Sequence, residues 1–353
     1  MKTKFAVVGT GMMGCEHIRN LAHLPDAELI AVSDPEERSL RWAKSACGDH
    51  FTPTYHADYR DLLDMDLDAV VIASPNFTHI NLVRDFAETP FHLLLEKPMC
   101  TTLKDCREVI ALDEAREAMI WVAMEYRYMS ATSAFAKELN DVGDLSMLFI
   151  REHRGPFLKK VGDWNRFNKN SGGTLVEKCC HFFDLMNLLI QSRPIATTAS
   201  GAMSVNHLDE RYHGEKPDIL DNAYVIIDYE NGVRACLDLC MFAEGGLNEQ
   251  EIVATGSIGK LEVHIPENRL NRLPRKPATS HAEKSILIPH DPDIKFMGLH
   301  HGASFLEQRD FIKAIAKNEL PAVNTRDGYW AVAVGVAAQA SIATGQRVQV
   351  EPL

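Results

Sequence analysis

Hydrophobic positions in the first third of the chain fall in short, nearly unbroken runs: Lys4–Val8, Glu28–Ser33, Ala69–Ser74, His92–Leu95 and Met119–Ala123. A run such as Ala69-Val70-Val71-Ile72-Ala73 has no polar position, so both faces of the strand it predicts must be covered, as in a parallel sheet. Helix-like segments lie between the runs. They are Met13–Leu24, ended by Pro25; Glu36–Cys47, ended by Gly48; Thr78–Glu88; and Leu103–Ala118. Strand and helix in repeated alternation predict a doubly wound α/β sheet.

Beyond Tyr126 the pattern changes. A helix over Ala131–Leu139 is followed by strand candidates at Leu145–Glu152, Ile195–Met203, Ala223–Tyr229, Val233–Phe242, Gln250–Thr255 and Lys260–His264. Polar and apolar residues alternate from Val233 to Leu239, which predicts antiparallel strands with one polar face. A helix over Val176–Ile190 interrupts them. Pro266–Met297, with five prolines, reads as irregular, and two helices close the chain near Ser304–Lys317 and Asp327–Thr344. The pattern predicts a doubly wound α/β domain over 1–125 and an α+β domain with mostly antiparallel strands over 126–353. The last helix is expected to pack back on the first domain.

Composition narrows the function. The chain has 353 residues, 46% hydrophobic and 24% charged, an ordinary globular balance that allows two cores. Its formal charge of −12 disfavours nucleic acid, which requires clustered positive charge. The eight cysteines contain no C-x-x-C pair and read as reduced, small hydrophobes. Phe5-Ala6-Val7-Val8 is too short for a signal-peptide core, and no run suits a membrane span. A soluble cytoplasmic protein without membrane partners is expected.

Gly9-Thr10-Gly11-Met12-Met13-Gly14 joins the first strand to the first helix. In that setting the first glycine permits a tight turn and the second admits a pyrophosphate near the backbone. The third lets helix and strand pack closely, while free N–H groups at the helix start face the anion. Asp34 ends the second strand, twenty residues after Gly14, where its carboxylate would accept the adenosine ribose hydroxyls. That placement favours NAD. Arg38, one turn later, is either a solvated residue or a partner for a 2′-phosphate, which keeps NADP as the alternative.

Two further groups bear on chemistry. Glu96-Lys97-Pro98 ends the fourth strand, at the edge where such sheets place ligands. Lys97 there could donate to a substrate oxygen, with a dry sheet lowering its pKa, or be a surface charge. Further on, Glu177 and His181 are four residues apart with Asp184 three beyond, so a continuous helix would put carboxylate and imidazole on one face. That suits acid–base work near neutrality; a histidine satisfied in a helix interface fits the same pattern. Metal ligation is not expected, because only Glu177 and His181 share the face and no third ligand has metal spacing.

In this order the motifs resemble the glucose–fructose oxidoreductase/inositol dehydrogenase family: G-x-G-x-x-G, Asp34, Ser74-Pro75-Asn76-x-x-His79, Glu96-Lys97-Pro98, Tyr126-Arg127-Tyr128, and Gly172-Gly173 leading to Glu177 and His181. The resemblance spans essentially the whole chain. It implies a Rossmann domain, a second domain with an open-faced mixed sheet through which dimers or tetramers assemble, and oxidation or reduction of a ring carbinol with NAD(P). It implies that Lys97 bridges the substrate hydroxyl and the nicotinamide ribose, that His181 accepts the proton, and that Glu177 stands where the family usually has Asp. Ser74, Pro75, Asn76 and His79 would line the cofactor, with Glu96 near the nicotinamide. The chain departs from the pattern at Glu177, at Lys178-Cys179-Cys180, and at Glu125, where an amide is common.

A basic stretch containing Arg154, Lys159, Lys160, Trp164 and Arg166 lies upstream of the Glu177 segment. With Tyr126, Arg127 and Lys178 these residues either hold an oxygen-rich or anionic substrate or face solvent. Trp164 could stack on a sugar or sit in a core, and His300-His301 could complete the site from the far end. The leading expectation is a dehydrogenase of a polyhydroxylated ring. A glycosidase using NAD transiently and a nucleotide-sensing regulator are the alternatives.

Overall fold

The computed structural model describes residues 2–275 and 284–353. Its first half runs β1 (Thr3–Val8), α1 (Met12–Leu21), β2 (Ala27–Ser33), α2 (Glu37–Cys47), β3 (Thr54–His56), β4 (Ala69–Ile72), α3 (His79–Ala87), β5 (His92–Glu96), α4 (Leu103–Glu114) and β6 (Ile120–Ala123). The six strands form one parallel sheet in the order β3-β2-β1-β4-β5-β6. All four side chains of β4 are fully buried, as are Phe5, Ala6 and Val7 of β1. Burial of a Val or Ile contributes about 1.5–3 kcal/mol, so the unbroken apolar runs are what the two-sided covering requires. The strand order reverses between β1 and β4, and there the carboxyl ends open a crevice.

The second half runs α5 (Ser130–Glu138), β7 (Leu145–His153), α6 (Asn168–Ser171), α7 (Thr174–Glu177), α8 (Cys180–Ile190), β8 (Pro194–Ala202), β9 (Asn222–Tyr229), β10 (Arg234–Cys240), β11 (Gln250–Gly256), β12 (Gly259–Ile265), β13 (Arg269–Pro274), β14 (Lys284–Leu287), α9 (Ala303–Lys317), α10 (Thr325–Thr344) and β15 (Val348–Gln349). Nine strands form a mixed sheet, β14-β13-β12-β11-β7-β10-β9-β8-β15, with β7 and β10 parallel and the other pairs antiparallel. Strict alternation on β9 and β10 turns Val225, Ile227, Ala235 and Leu237 into the core. The same alternation turns Tyr224 and Ile226 outward, at 62% and 48% exposure.

Two sequence expectations are corrected. Pro266–Met297 is not uniformly irregular: β13 and β14 lie inside it, while 276–283 falls outside the described residues. Leu270 alone on β13 is fully buried, so this edge of the sheet carries almost no hydrophobic alternation. The helix expected over Val176–Ile190 is two, α7 and α8, separated at Lys178–Cys179.

Helix α10 ties the halves together. It packs on α4 and β6 of the first sheet and on α7, α8 and β8 of the second. Two of its glycines permit this. A Cβ on Gly335 would sit 2.6 Å from the Leu175 carbonyl oxygen, and one on Gly328 would sit 3.1 Å from Met99 Sδ. Its N-terminus is closed by a capping box between Asn324 and Asp327. Among the described residues, no helix is long and apolar enough to cross a membrane.

Candidate active site

A cleft of about 1870 Å³ runs from the carboxyl ends of β1 and β2 to α7. Gly9, Gly11, Met12 and Met13 form one wall with Asp34 and Arg38, and Ser74, Pro75 and Asn76 form the opposite one. Each motif glycine has its own reason. Gly9 has φ +85° and lies against the Ser74 backbone, where a Cβ would come within 2.5 Å of Ser74 N. A Cβ on Gly14 would fall 1.9 Å from the Gly9 carbonyl oxygen. A Cβ on Gly11 would meet nothing within 4 Å, because that backbone borders the cleft itself.

The Asp34 carboxylate is fixed by the chain. Oδ2 accepts from Thr10 N at 2.7 Å and Oδ1 from Glu36 N at 2.9 Å. Arg38 lies 4.7 Å from the centroid of the Trp42 ring, and both line the cleft. These residues fit a dinucleotide: an open backbone bend at a helix start for the pyrophosphate and a fixed carboxylate for a ribose. The structure also brings in Thr10, Trp42 and Phe77, which the motif spacing did not single out. His79 differs from expectation. It is fully buried away from the cleft, with Nδ1 3.0 Å from Pro98 O and Nε2 3.1 Å from Ser74 O, and so joins the two loops that line it.

At the far end Glu96, Lys97 and Glu177 meet. Lys97 leaves β5 through a cis Lys97–Pro98 bond, and its Nζ donates to the Glu177 carbonyl oxygen at 3.1 Å. Its pKa is raised, not lowered as the dry sheet suggested. Burial opposes the ammonium, but the acidic groups around it, Cys180, Glu125, Glu96 and Glu177, outweigh burial. Glu96 is bonded at 2.7 Å to His17 Nε2. Burial alone would push its carboxyl up, yet the His17 bond and charge bring it down to about 2. Burial pushes the Glu177 carboxyl up against four nearby cations, and its Oε2 is buried with no hydrogen-bond partner.

The carboxylate beside His181 is Glu125, not Glu177. Its Oε1 lies 3.5 Å from His181 Nε2, and the break between α7 and α8 sends Glu177 to the cleft wall instead. His181 is only 1% exposed, stacked on Tyr126 at 4.0 Å between centroids, with its Nδ1 unpartnered. Burial, reinforced by the charges of Lys97 and Lys178, pulls its pKa well below the usual imidazole range.

The remaining candidates divide. Trp164 lines the cleft beside Lys159 and Lys160. Lys178 is buried, donating to Tyr126 Oη at 2.7 Å and pairing with Glu152 at 2.9 Å, so it braces the Tyr126–His181 stack from behind. Arg154 sits 3.6 Å from the same Glu152. Arg127 is held by Asp184 through two bonds of 2.6 and 2.5 Å and donates to Ala322 O, while Arg166 is 2% exposed and bound to Glu210 and Phe157 O. Both guanidiniums anchor loops, and neither they nor Tyr126, Arg154, Lys178 and His181 line the cleft, contrary to the sequence expectation for these six residues.

Known proteins resemble this chain along its whole length. Residues 3–124 match the NAD-binding Rossmann fold of the Gfo/Idh/MocA oxidoreductase family, and residues 138–350 match its C-terminal alpha/beta domain. The chain is 27% identical over 351 residues to an uncharacterized oxidoreductase of Bacillus subtilis, covering 98% of this chain and 96% of that one. It is 26% identical over 356 residues to inositol 2-dehydrogenase 1 of Saccharopolyspora erythraea, covering 99% and 97%. Levoglucosan dehydrogenase, solved in complex with NADH, superposes with a TM-score of 0.85 at 20% identity over the full length of both chains, a likeness of fold.

Proposed function

The chain belongs to the Gfo/Idh/MocA oxidoreductase family, and on that premise we propose that it oxidises a ring carbinol of a sugar, sugar derivative or inositol-like cyclitol with NAD. The observation that carries this reading is the convergence of Lys97 and Glu177 on one end of a cleft whose other end is walled by Gly9, Gly11, Met12, Met13 and Asp34. NAD, held by the glycine turn and Asp34, would supply the hydride acceptor for the carbinol carbon. The Lys97 ammonium, kept charged by its acidic surroundings, donates to the hydroxyl oxygen and stabilises the negative charge developing on it. Glu177 Oε2, buried without a partner, accepts from a neighbouring hydroxyl and orients the ring. His181 lies behind the cleft lining rather than in it, and its unpartnered Nδ1 is the proposed acceptor of the hydroxyl proton. The Trp164 ring offers an apolar face to the ring C–H groups. Asp34 repels a 2′-phosphate, which favours NAD over NADP.

The reading extends to assembly and compartment. Met147, Tyr224 and Ile226 stand exposed on the outer face of the nine-stranded sheet, and a second copy covers them in a dimer or tetramer. Eight unpaired cysteines support a reducing, cytoplasmic setting. The test is NADH formation across sugars, sugar acids, inositols and anhydrosugars, each repeated with NADP. Stoichiometric NADH from at least one ring polyol is expected. Sugar release without net NADH would replace this reading with transient oxidation by a glycosidase. Tight NAD binding with no turnover would point to a sensor.

A further inference from the structure

We propose that Glu125 and His300 form a proton relay behind His181, delivering the proton of the substrate hydroxyl to Glu16 in the cleft wall; this rests on the ring-carbinol reading above. Glu125 Oε1 stands 3.5 Å from His181 Nε2 and 3.4 Å from His300 Nε2. The other ring nitrogen, His300 Nδ1, is 3.4 Å from Glu16 Oε1. Glu16 is held by Leu299 N at 3.0 Å and Ser304 Oγ at 2.9 Å, and it lines the cleft. Imidazole and carboxylate thus alternate over four groups drawn from four separate stretches of chain: α8, the turn after β6, the approach to α9, and α1.

Glu125 differs from a structural carboxylate. It is 1% exposed and neither oxygen has a hydrogen-bond partner. Its ion-pair neighbours are the two imidazoles, whereas the equally buried Glu152 has the Lys178 ammonium 2.9 Å away as a fixed counter-cation. A carboxyl suspended just beyond bonding distance of two imidazoles is placed to exchange a proton with either, the contacts tightening once substrate binds. Burial raises the Glu125 carboxyl, with Glu96 adding to it, while burial lowers His181. The two proton affinities therefore approach each other, the condition for facile transfer. Lys97 and Lys178 also disfavour an imidazolium at His181, so transfer to Glu125 moves the proton away from them.

The proton count closes. The carbinol loses a hydride from carbon to NAD and a proton from oxygen to His181 Nδ1. The Nε2 proton of that ring passes to Glu125 Oε1, then to His300 Nε2, and the Nδ1 proton of His300 passes to Glu16 and on to cleft water. Other charged groups face the relay and are unchanged in its variants. Glu96 with its partner His17, Lys97 and Glu307 surround Glu125, and Glu96 and His301 lie near His300.

The experiment compares Glu125→Gln, which keeps shape but cannot carry a proton, with Glu125→Asp and His300→Asn. For Glu125→Gln we expect kcat to fall about a hundredfold with KM nearly unchanged. Its solvent deuterium isotope effect should rise and its kcat–pH profile should lose an ionisation. Glu125→Asp should recover part of the rate, and His300→Asn should reproduce the loss in weaker form. Infrared difference spectra of the free protein, taken across a pH titration, should show a buried carboxyl band that Glu125→Gln removes. Wild-type kcat and isotope effect in Glu125→Gln, or an unchanged carboxyl band, would overturn the relay. Failure of the unmodified protein to reduce NAD with any polyol would instead sink the ring-carbinol reading, while the infrared band would still report on Glu125.

Discussion

On the proposed mechanism the chemistry turns on Lys97, which lines the cleft at the junction of β5 and α7 and donates to the Glu177 carbonyl. Lys97→Met removes the charge that stabilises a developing alkoxide and should cost about 10²–10³ in kcat. NAD affinity, followed by fluorescence titration, should change far less than turnover, since the glycine turn and Asp34, proposed for the pyrophosphate and the adenosine ribose, lie at the other end of the cleft. Residues of this kind were legible in the sequence because their meaning is local: Gly9, Gly11, Gly14, Asp34 and Lys97 each follow a strand at fixed spacing. Contacts between distant positions were not legible. Arg127 and Arg166 read as substrate ligands because a basic stretch carries no record of the carboxylates that neutralise it. Glu125 stands out along the chain as a departure from the family pattern and His300 as a residue that could complete the site, but nothing in the sequence says that one faces the other.

At the scale of elements, the glycine turn makes a prediction with opposite outcomes at two positions. Gly14→Ala drives a methyl into the Gly9 carbonyl, so it should lower the melting temperature and abolish NAD binding together. Gly11→Ala places its methyl in open space, so the melting temperature should hold while the NAD dissociation constant rises. Calorimetry and cofactor titration on both variants check this.

The Glu96–His17 pair links β5 to α1 and makes stability depend on pH. Glu96, depressed to about 2 in the fold, contributes stability that is complete above the ordinary carboxylate range near 4.5 and is lost as pH falls toward 2. His17 is raised above 6.5 by Glu96 despite its burial, so its share is complete below 6.5 and fades as pH rises through its folded value. Denaturant titrations across pH should show that acid-side loss, and His17→Gln should cost about 3–5 kcal/mol at neutrality by leaving Glu96 uncompensated. The patterns of β1, β4 and β10 were readable because one or both of their faces are buried throughout. The split of α7 from α8 was not, since Glu177 and His181 keep helical spacing across the break. The edge strands β13 and β14 escaped notice because they bury too little to imprint a pattern.

At the scale of the whole molecule, the two-domain α/β plan followed from the change of pattern near Tyr126, which reflects a real change in how the sheets are covered. The outer face of the second sheet leads to a prediction about assembly. Tyr224→Lys, combined with Ile226→Lys, puts like charges on that face and should shift sedimentation from dimer or tetramer to monomer without unfolding the chain. Helix α10 has a mechanical consequence. It packs against both halves, and at Gly335 it approaches the Leu175 carbonyl too closely to admit a methyl group, so one helix couples the two sheets. With the halves coupled this way, entry and release of the ring should be accommodated by the cleft-lining segments near Lys160 and Leu299, and the radius of gyration from small-angle scattering should not change when NAD and polyol are added.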